Sequence, residues 1–445
     1  MFRFFYDTAI RATGTLLPIL GLFHRKARRL WAGRQHIAAD LARWQRTRPA
    51  GARVLWMHCA SLGEFEQGRP VLEAFREAYP DWQIVLTFFS PSGYEVRKDY
   101  PGADCVTYLP ADTPANAHRW AEAVRPDLVF WVKYEFWYHH LRALYRRGVP
   151  VVLIATIFRP DQLFFKPYGG WYRQMLGFFT HCFVQNEESL HLLRGIGLTA
   201  CSLGGDTRFD RVVAIADQRP AFSLIEAFRG TSELLVCGSI WEEDWRVIEA
   251  SVSSHQPSVV GAPSKKARQL ETEDRKLETH PYKVLIAPHE LDDAQIERWR
   301  RACGVPAVRY SEATPENVRT ARVLFLDTIG MLSGVYAYAE YAFVGGAYGA
   351  GLHNVLEAAV YGVPLFFGDR AYHKFAEAQD LLDLGAAFAV RDRAEWERLF
   401  SELRADPARR RVLGARAAAY VRERTGATDR VMAWVQEQLN AFKHQ

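Results

Sequence analysis

Phe343-Val344-Gly345-Gly346-Ala347-Tyr348-Gly349-Ala350-Gly351-Leu352-His353-Asn354-Val355-Leu356-Glu357-Ala358-Ala359 reads as an apolar strand, a loop holding four glycines, and a helix beginning near His353. A strand that passes through glycines into a helix is the repeating unit of an open parallel α/β sheet, and such sheets bind ligands at the carboxyl ends of their strands. The glycines let backbone amides approach a phosphate, with a helix N-terminus behind them. The spacing is neither that of a Walker loop nor GxGxxG, which counts against P-loop NTPases and simple dehydrogenases. Glu357 falls one turn into the helix, where a ribose hydroxyl would meet it. The pattern fits a nucleotide-sugar donor pocket.

Outward from this stretch the same alternation fills the chain. Strands are expected at Val54 to Met57, Ile84 to Phe88, Leu128 to Val132, Val151 to Ala155 and Cys182 to Val184. A second set is expected near Leu234 to Cys237, Val284 to Ala287, Val323 to Leu326, Tyr341 to Val344 and Pro364 to Phe367. Amphipathic stretches such as Phe65 to Ala78 and Ala115 to Ala123 lie between them. The fold class is therefore α/β, with two doubly wound, Rossmann-like units whose carboxyl edges would face one another across a cleft. The 445 residues, 49% of them hydrophobic and 24% charged, suit two such domains and exclude long disorder or a polytopic membrane protein. Periodicity fades between Phe209 and Phe222, and Gln218-Arg219-Pro220 is a hinge candidate. The expected division is 1–34, 35–212, 213–427 and 428–445. The last segment is an amphipathic helix carrying Val431, Trp434, Val435 and Leu439, expected to pack back on the first domain.

Residues 1–34 stand apart. They hold seven bases against the single acid Asp7, so this leader carries +6 and the rest of the chain −1 of the +5 total. A nucleic-acid binder would spread basic charge over its folded body, so none is expected as a partner. The leader is also apolar and aromatic (Phe2, Phe4, Phe5, Tyr6, then Ala12 to Phe23), but the uncharged run is too short to span a bilayer and contains Gly14, Pro18 and Gly21. Two readings stand: a segment that lies on anionic lipid, or a basic helix that packs against the body. The six cysteines lack CxxC or zinc spacing and read as buried thiols, with no metal site.

Four groups of residues carry candidate chemistry. After Val54-Leu55-Trp56-Met57, the segment His58-Cys59-Ala60-Ser61-Leu62-Gly63-Glu64 leads into a helix. Glu64 there is either a general base at a strand-to-helix turn or the acid of a Ser61 capping box. Lys133 and Glu135 follow the apolar strand Leu128 to Val132, as two functional charges or as a structural ion pair. Arg208, in Gly204-Gly205-Asp206-Thr207-Arg208-Phe209-Asp210, would hold an anion or pair with Asp206 or Asp210. Three more strand ends converge on the glycine loop: Cys237-Gly238-Ser239-Ile240-Trp241-Glu242-Glu243-Asp244, Ile286-Ala287-Pro288-His289-Glu290 and Leu326-Asp327-Thr328-Ile329-Gly330-Met331.

In order and content these motifs resemble the Kdo transferases, which move 3-deoxy-D-manno-octulosonic acid from CMP-Kdo to a lipid A precursor in Gram-negative bacteria. The resemblance rests on the leader, Ala60-Ser61-Leu62-Gly63-Glu64, Ser90-Pro91-Ser92-Gly93, Glu135-Phe136-Trp137, Gln185-Asn186-Glu187, Gly205 to Asp210 and Gly345 to Glu357. It implies a GT-B glycosyltransferase of lipopolysaccharide core biosynthesis. Transfer from CMP-Kdo to lipid IVA would be inverting, with neither metal nor cofactor, at the cytoplasmic face of the inner membrane. Anionic lipid is then the expected surface partner, and no protein partner is predicted. By the same resemblance Glu64 is the base and Arg208 stabilises the transition state, with Glu135 and Lys133 beside them. The donor would contact Ser239, Pro288, His289, Ile329, Gly330, Met331, Gly345, Gly346, His353, Asn354, Val355, Leu356 and Glu357. The chain departs from the family at Lys133, where many members have an acid, at Met331 for a common Glu, and at His289 for a common Arg. Arg208 stands where lysine is usual. The alternatives are a GT-B enzyme with a heptosyl or UDP-sugar donor, or a membrane-associated nucleotide-binding protein without activity.

Overall fold

A computed structural model describes residues 2–218, 221–253 and 282–443. The chain forms two compact units, Met1–Arg211 with Arg424–Gln445, and Val212–Glu423. Arg219 and Pro220 of the expected hinge lie outside the described residues.

The first unit is built on seven parallel strands. They are β1 (Val54–Cys59), β2 (Gln83–Phe88), β3 (Cys105–Tyr108), β4 (Leu128–Val132), β5 (Val151–Thr156), β6 (His181–Val184) and β7 (Cys201–Leu203), in the order β3-β2-β1-β4-β5-β6-β7. The second repeats the plan with β8 (Glu233–Ile240), β9 (Tyr282–Pro288), β10 (Ala307–Arg309), β11 (Val323–Phe325), β12 (Tyr341–Val344), β13 (Leu365–Gly368) and β14 (Ala387–Val390), in the order β10-β11-β9-β8-β12-β13-β14. Central strands such as β1 and β4 are buried along their whole length, as helices on both faces of a parallel sheet require.

Four strands were not expected from the sequence: β3, β7, β10 and β14. They are the edge strands of the two sheets. An edge strand is covered on fewer sides, so it needs no unbroken apolar run; β10, Ala307-Val308-Arg309, is half-exposed throughout.

The helix Ala427–Lys443 returns to the first unit, where Val431, Val435 and Leu439 join Phe65, Leu72 and Phe75 in one cluster. Its start is fixed by Asp210, which accepts hydrogen bonds from the Gly426 and Thr428 amides, both at 2.6 Å, and from the Thr428 hydroxyl. The leader forms helices Phe2–Phe23 and Arg25–Arg34. One side of it is docked: Tyr6 donates to buried Asp112 at 2.5 Å, and Asp7 pairs with His139 at 2.5 Å. The other side exposes Phe4, Phe5, Leu22 and Phe23, each more than 60% accessible. Among the described residues no helix is long and apolar enough to cross a membrane.

Candidate active site

In the first unit β1 ends at Cys59 and the chain turns through Ala60-Ser61 into the helix Leu62–Ala78. Ser61 occupies the N-cap but its hydroxyl makes no cap bond, so the reciprocal capping box does not form. Glu64 instead turns back and accepts from the Ala60 amide at 2.5 Å. Burial lifts its carboxyl from the ordinary 4.5 to about 7, and the negative charge of Glu135 adds to the lift; the Ala60 amide and the Lys133 ammonium pull the other way. The structure therefore brings Glu64, Glu135 and Lys133 into one electrostatic group.

Glu135 is placed by the turn after β4. Its Oε2 is buried without a hydrogen-bond partner, 4.0 Å from the Nε2 of fully buried His58, which is likewise unpartnered. On its other side Glu135 helps to line a cavity of about 500 Å³ with Tyr6, Phe136, Trp137, Leu163 and Trp171. Lys133 takes a left-handed φ of 61°, and Ala155, at the corresponding end of β5, takes 57° where the β5–β6 register shifts. Arg208 bonds its neighbour Asp206: Nε and Nη2 both donate to Asp206 Oδ2, at 2.9 and 2.7 Å. Of the two pairing partners weighed for it, Asp206 is the one engaged, because Asp210 is committed to the C-terminal helix.

In the second unit the glycine loop differs from expectation in two respects. The helix after it is Leu356–Ala359, three residues later than His353 and only four residues long, so it contributes little dipole. The loop also closes on itself. Gly346 (φ 96°) and Gly351 (φ 111°) adopt conformations only glycine takes easily, and the Gly349 and Gly351 amides both donate to the Gly346 carbonyl. The Gly345 amide donates to Gly238 O, the Gly346 amide to Asp244 and the His353 amide to Gly345 O. Those amides shape the loop and are already engaged.

Asp244 organises this edge. Fully buried, it accepts from the Trp241 and Gly346 amides through Oδ2, each at 2.9 Å, tying the end of β8 to the glycine loop. Burial raises its carboxyl from 3.8 to about 6, against those two amides, and its Oδ1 has no partner. Ser239 sits at a left-handed φ of 56° where the β8–β9 register slips. Its carbonyl packs so close to Gly345 that a Cβ there would lie 2.3 Å away. Trp241, His289 and His353 form an aromatic group, while Asn354 donates to Glu357 at 3.2 Å. Pro288, Val355 and Leu356 are buried, so the last two offer a ligand their backbone alone. Ile329, Gly330 and Met331 form a turn before a short helix, with Ile329 84% accessible.

Three residues of this edge went unselected from the sequence. Trp241 and Asp244 carry the signal of an acid three residues after a helix N-cap, which the neighbouring Glu242 and Glu243 obscured. Lys374, whose Nζ lies 3.5 Å from where a Gly351 Cβ would stand, comes from the loop after β13 and has no local signature. Among the described residues no group of three or more His, Cys, Asp or Glu could hold a metal ion. All six cysteines are buried and unpaired.

Residues 32–211 match the family described as 3-deoxy-D-manno-octulosonic-acid transferase (kdotransferase). The chain is 27% identical to the 3-deoxy-D-manno-octulosonic acid transferase of Bordetella pertussis, over 99% of this chain and 100% of that one. It is 25% identical to that of Aquifex aeolicus, over 78% and 85%. Among solved structures, UDP-GlcNAc 2-epimerase from Neisseria meningitidis superposes with a TM-score of 0.57 at 14% identity, covering 86% of this chain and 100% of that one. That likeness and the two parallel seven-stranded sheets identify the fold as GT-B.

Proposed function

We propose that the chain, which matches the 3-deoxy-D-manno-octulosonic acid transferase family over residues 32–211 and resembles the Bordetella pertussis transferase over 99% of its length, is a glycosyltransferase of that family and transfers Kdo from CMP-Kdo to the lipid A precursor lipid IVA, with inversion and without a metal. The observation that carries this reading is Glu64, a carboxyl raised to about 7 at the carboxyl edge of a parallel sheet. A base tuned near neutrality takes a proton efficiently from a sugar hydroxyl.

In the proposed reaction Glu64 removes the proton of the acceptor hydroxyl as its oxygen attacks the anomeric carbon of Kdo. The bond from that carbon to the phosphate oxygen breaks, and CMP leaves with the electron pair. Attack opposite the leaving group inverts the anomeric centre. The second unit supplies the donor site: Lys374, His353 and Asn354 surround the glycine loop and would meet the phosphate, the electrostatic route to stabilising a leaving group. Lys133 and Arg208 are the first unit's candidates for the Kdo carboxylate. The cavity beside Glu135 is offered as the acceptor side, and the exposed apolar face of the basic leader supports an enzyme seated on anionic lipid at the cytoplasmic face of the inner membrane.

The test is incubation with CMP-Kdo and lipid IVA, followed by mass spectrometry. Wild type should add the mass of Kdo, and Glu64→Gln should bind CMP-Kdo yet add none. Transfer from a UDP-sugar with none from CMP-Kdo would refute the donor, and near-normal transfer by Glu64→Gln would refute the base.

A further inference from the structure

Three aromatic rings meet at the carboxyl edge of the second unit, each from a different strand end. Trp241 follows β8, His289 follows β9, and His353 lies in the loop after β12. The Trp241 Nε1 hydrogen bonds His353 Nε2 at 3.1 Å. His289 stacks on both partners, 4.3 Å from Trp241 at an interplanar angle of 22°, and 4.4 Å from His353 at 29°. The backbone holds the group together: the His289 amide donates to Ile240 O at 3.0 Å, and Asp244 joins the Trp241 and Gly346 amides. Gly346 is part of the fit, since a Cβ there would lie 2.9 Å from His353 Cδ2.

An indole nitrogen can only donate. His353 Nε2 must therefore accept, which leaves the ring neutral with its proton on Nδ1. We infer that Trp241 is a positioning residue that holds His353 as a neutral Nδ1–H hydrogen-bond donor, so that the anionic group of a nucleotide donor meets a directed hydrogen bond there and not an imidazolium. The surroundings agree. Burial, with His289 beside it, lowers His353 to about 4. Burial also lowers His289, with Glu290 opposing. Asp244 is turned onto the two amides, and Glu357 accepts from Asn354. The function of this arrangement is constancy: a site whose imidazole does not titrate binds its anion equally at pH 6 and pH 8.

The inference uses the transferase reading only for its second readout. In the full chain labelled with 15N-histidine, His353 should show an unprotonated Nε2 and a protonated Nδ1, with no titration between pH 5.5 and 8. Trp241→Phe keeps a ring for stacking and removes the N–H that fixes Nε2 as an acceptor, so both neutral tautomers of His353 should appear and its titration should move above the wild-type midpoint, while burial and His289 still hold it below the ordinary histidine value of about 6.5. Binding of CMP-Kdo, whose phosphodiester does not titrate in this range, should be flat from pH 8 to pH 5.5 in wild type, whereas Trp241→Phe should bind more weakly at pH 8, where the Nε2–H tautomer competes, and tighten as pH falls below 6. A wild-type His353 that is protonated on Nε2, or that titrates near 6.5, overturns the inference even if the variant fails to fold. So does a folded Trp241→Phe in which His353 is unchanged. A protein that binds no cytidine nucleotide would count against the proposed donor and leave the tautomer result standing.

Discussion

Replacing Glu135 by Gln should move the acid limb of the transfer reaction, because Glu135 acts on the proposed base. Burial is the largest cause of the raised Glu64 carboxyl and the Glu135 charge is the next. The lift from 4.5 to about 7 corresponds to about 3 kcal/mol held against the ionised form. With its midpoint near 7, only roughly one-tenth of Glu64 is ionised at pH 6, whereas a carboxyl at 4.5 would be almost wholly ionised there. Wild-type kcat/KM for lipid IVA at subsaturating CMP-Kdo, followed from pH 5 to 9, should therefore rise about tenfold between pH 6 and its alkaline plateau. In Glu135→Gln the charge is gone and burial remains. The limb should move to lower pH without reaching 4.5, so activity at pH 6 becomes a several-fold larger share of that variant's own plateau. The comparison within one variant separates this effect from any direct role of Glu135 in the plateau rate. The same lift has a stability consequence of definite sign. A carboxyl raised on folding contributes stability below pH 4.5 that is lost as pH rises through about 7, so Glu64→Gln should unfold at a higher temperature than wild type at pH 8 and at the same temperature near pH 4. A wild-type limb near 4.5, or a limb that ignores Glu135→Gln, would refute the account of Glu64 as a base tuned by its neighbours.

Asp244→Asn should keep the acceptor for the Trp241 and Gly346 amides while removing a buried charge. Wild type should lose thermal stability as pH rises from 4 through about 6, and calorimetry of Asp244→Asn should show that slope flattened. Leu163→Trp narrows the cavity beside Glu135 at a side chain that is 40% accessible; KM for lipid IVA should rise about tenfold with CMP binding unchanged by calorimetry. Replacing Phe4, Phe5, Leu22 and Phe23 together by Ser should lower partition into anionic vesicles more than roughly a hundredfold, measured by sedimentation, since each apolar side chain is worth about 1.5 kcal/mol or more when buried.

The interior strands were legible because a parallel strand covered on both faces must be apolar throughout. Leu128 to Val132 and Tyr341 to Val344 were placed without error. Edge strands escaped because their environment relaxes that demand. Glu64 was legible by position, at a strand-to-helix turn, but neither the absence of a capping box nor the lift of its carboxyl was. The lift depends in part on Glu135, distant in sequence, and the box on whether the Ser61 hydroxyl caps the helix. The glycine loop shows the opposite failure. Its composition announced a tight turn, yet composition does not say where the amides point, and Asp244 together with the loop's own carbonyls takes most of them.

Both edges share a conflict that the sequence conceals. Among the described residues, four other than glycine have positive φ: Arg125, Lys133, Ala155 and Ser239. Arg125 caps the helix Pro114–Val124 in a left-handed turn, an ordinary use of that conformation. The other three sit at the carboxyl ends of β4, β5 and β8, and two of them coincide with slipped register. Lys, Ala and Ser carry no glycine signal, so nothing local foretells the strain, which costs of the order of 1–3 kcal/mol at each position. Desolvated carboxyls lie at the same edges, Glu64 in one unit and Asp244 in the other, and the raised value of each marks a charge held against burial. A sheet optimised for folding alone would end its central strands on relaxed backbone and leave carboxylates in water. Two units that place left-handed backbone and desolvated acids at the same topological edge have kept a cost there, and that shared placement is a physical reason, independent of any single motif, to direct the substitutions above at these strand ends.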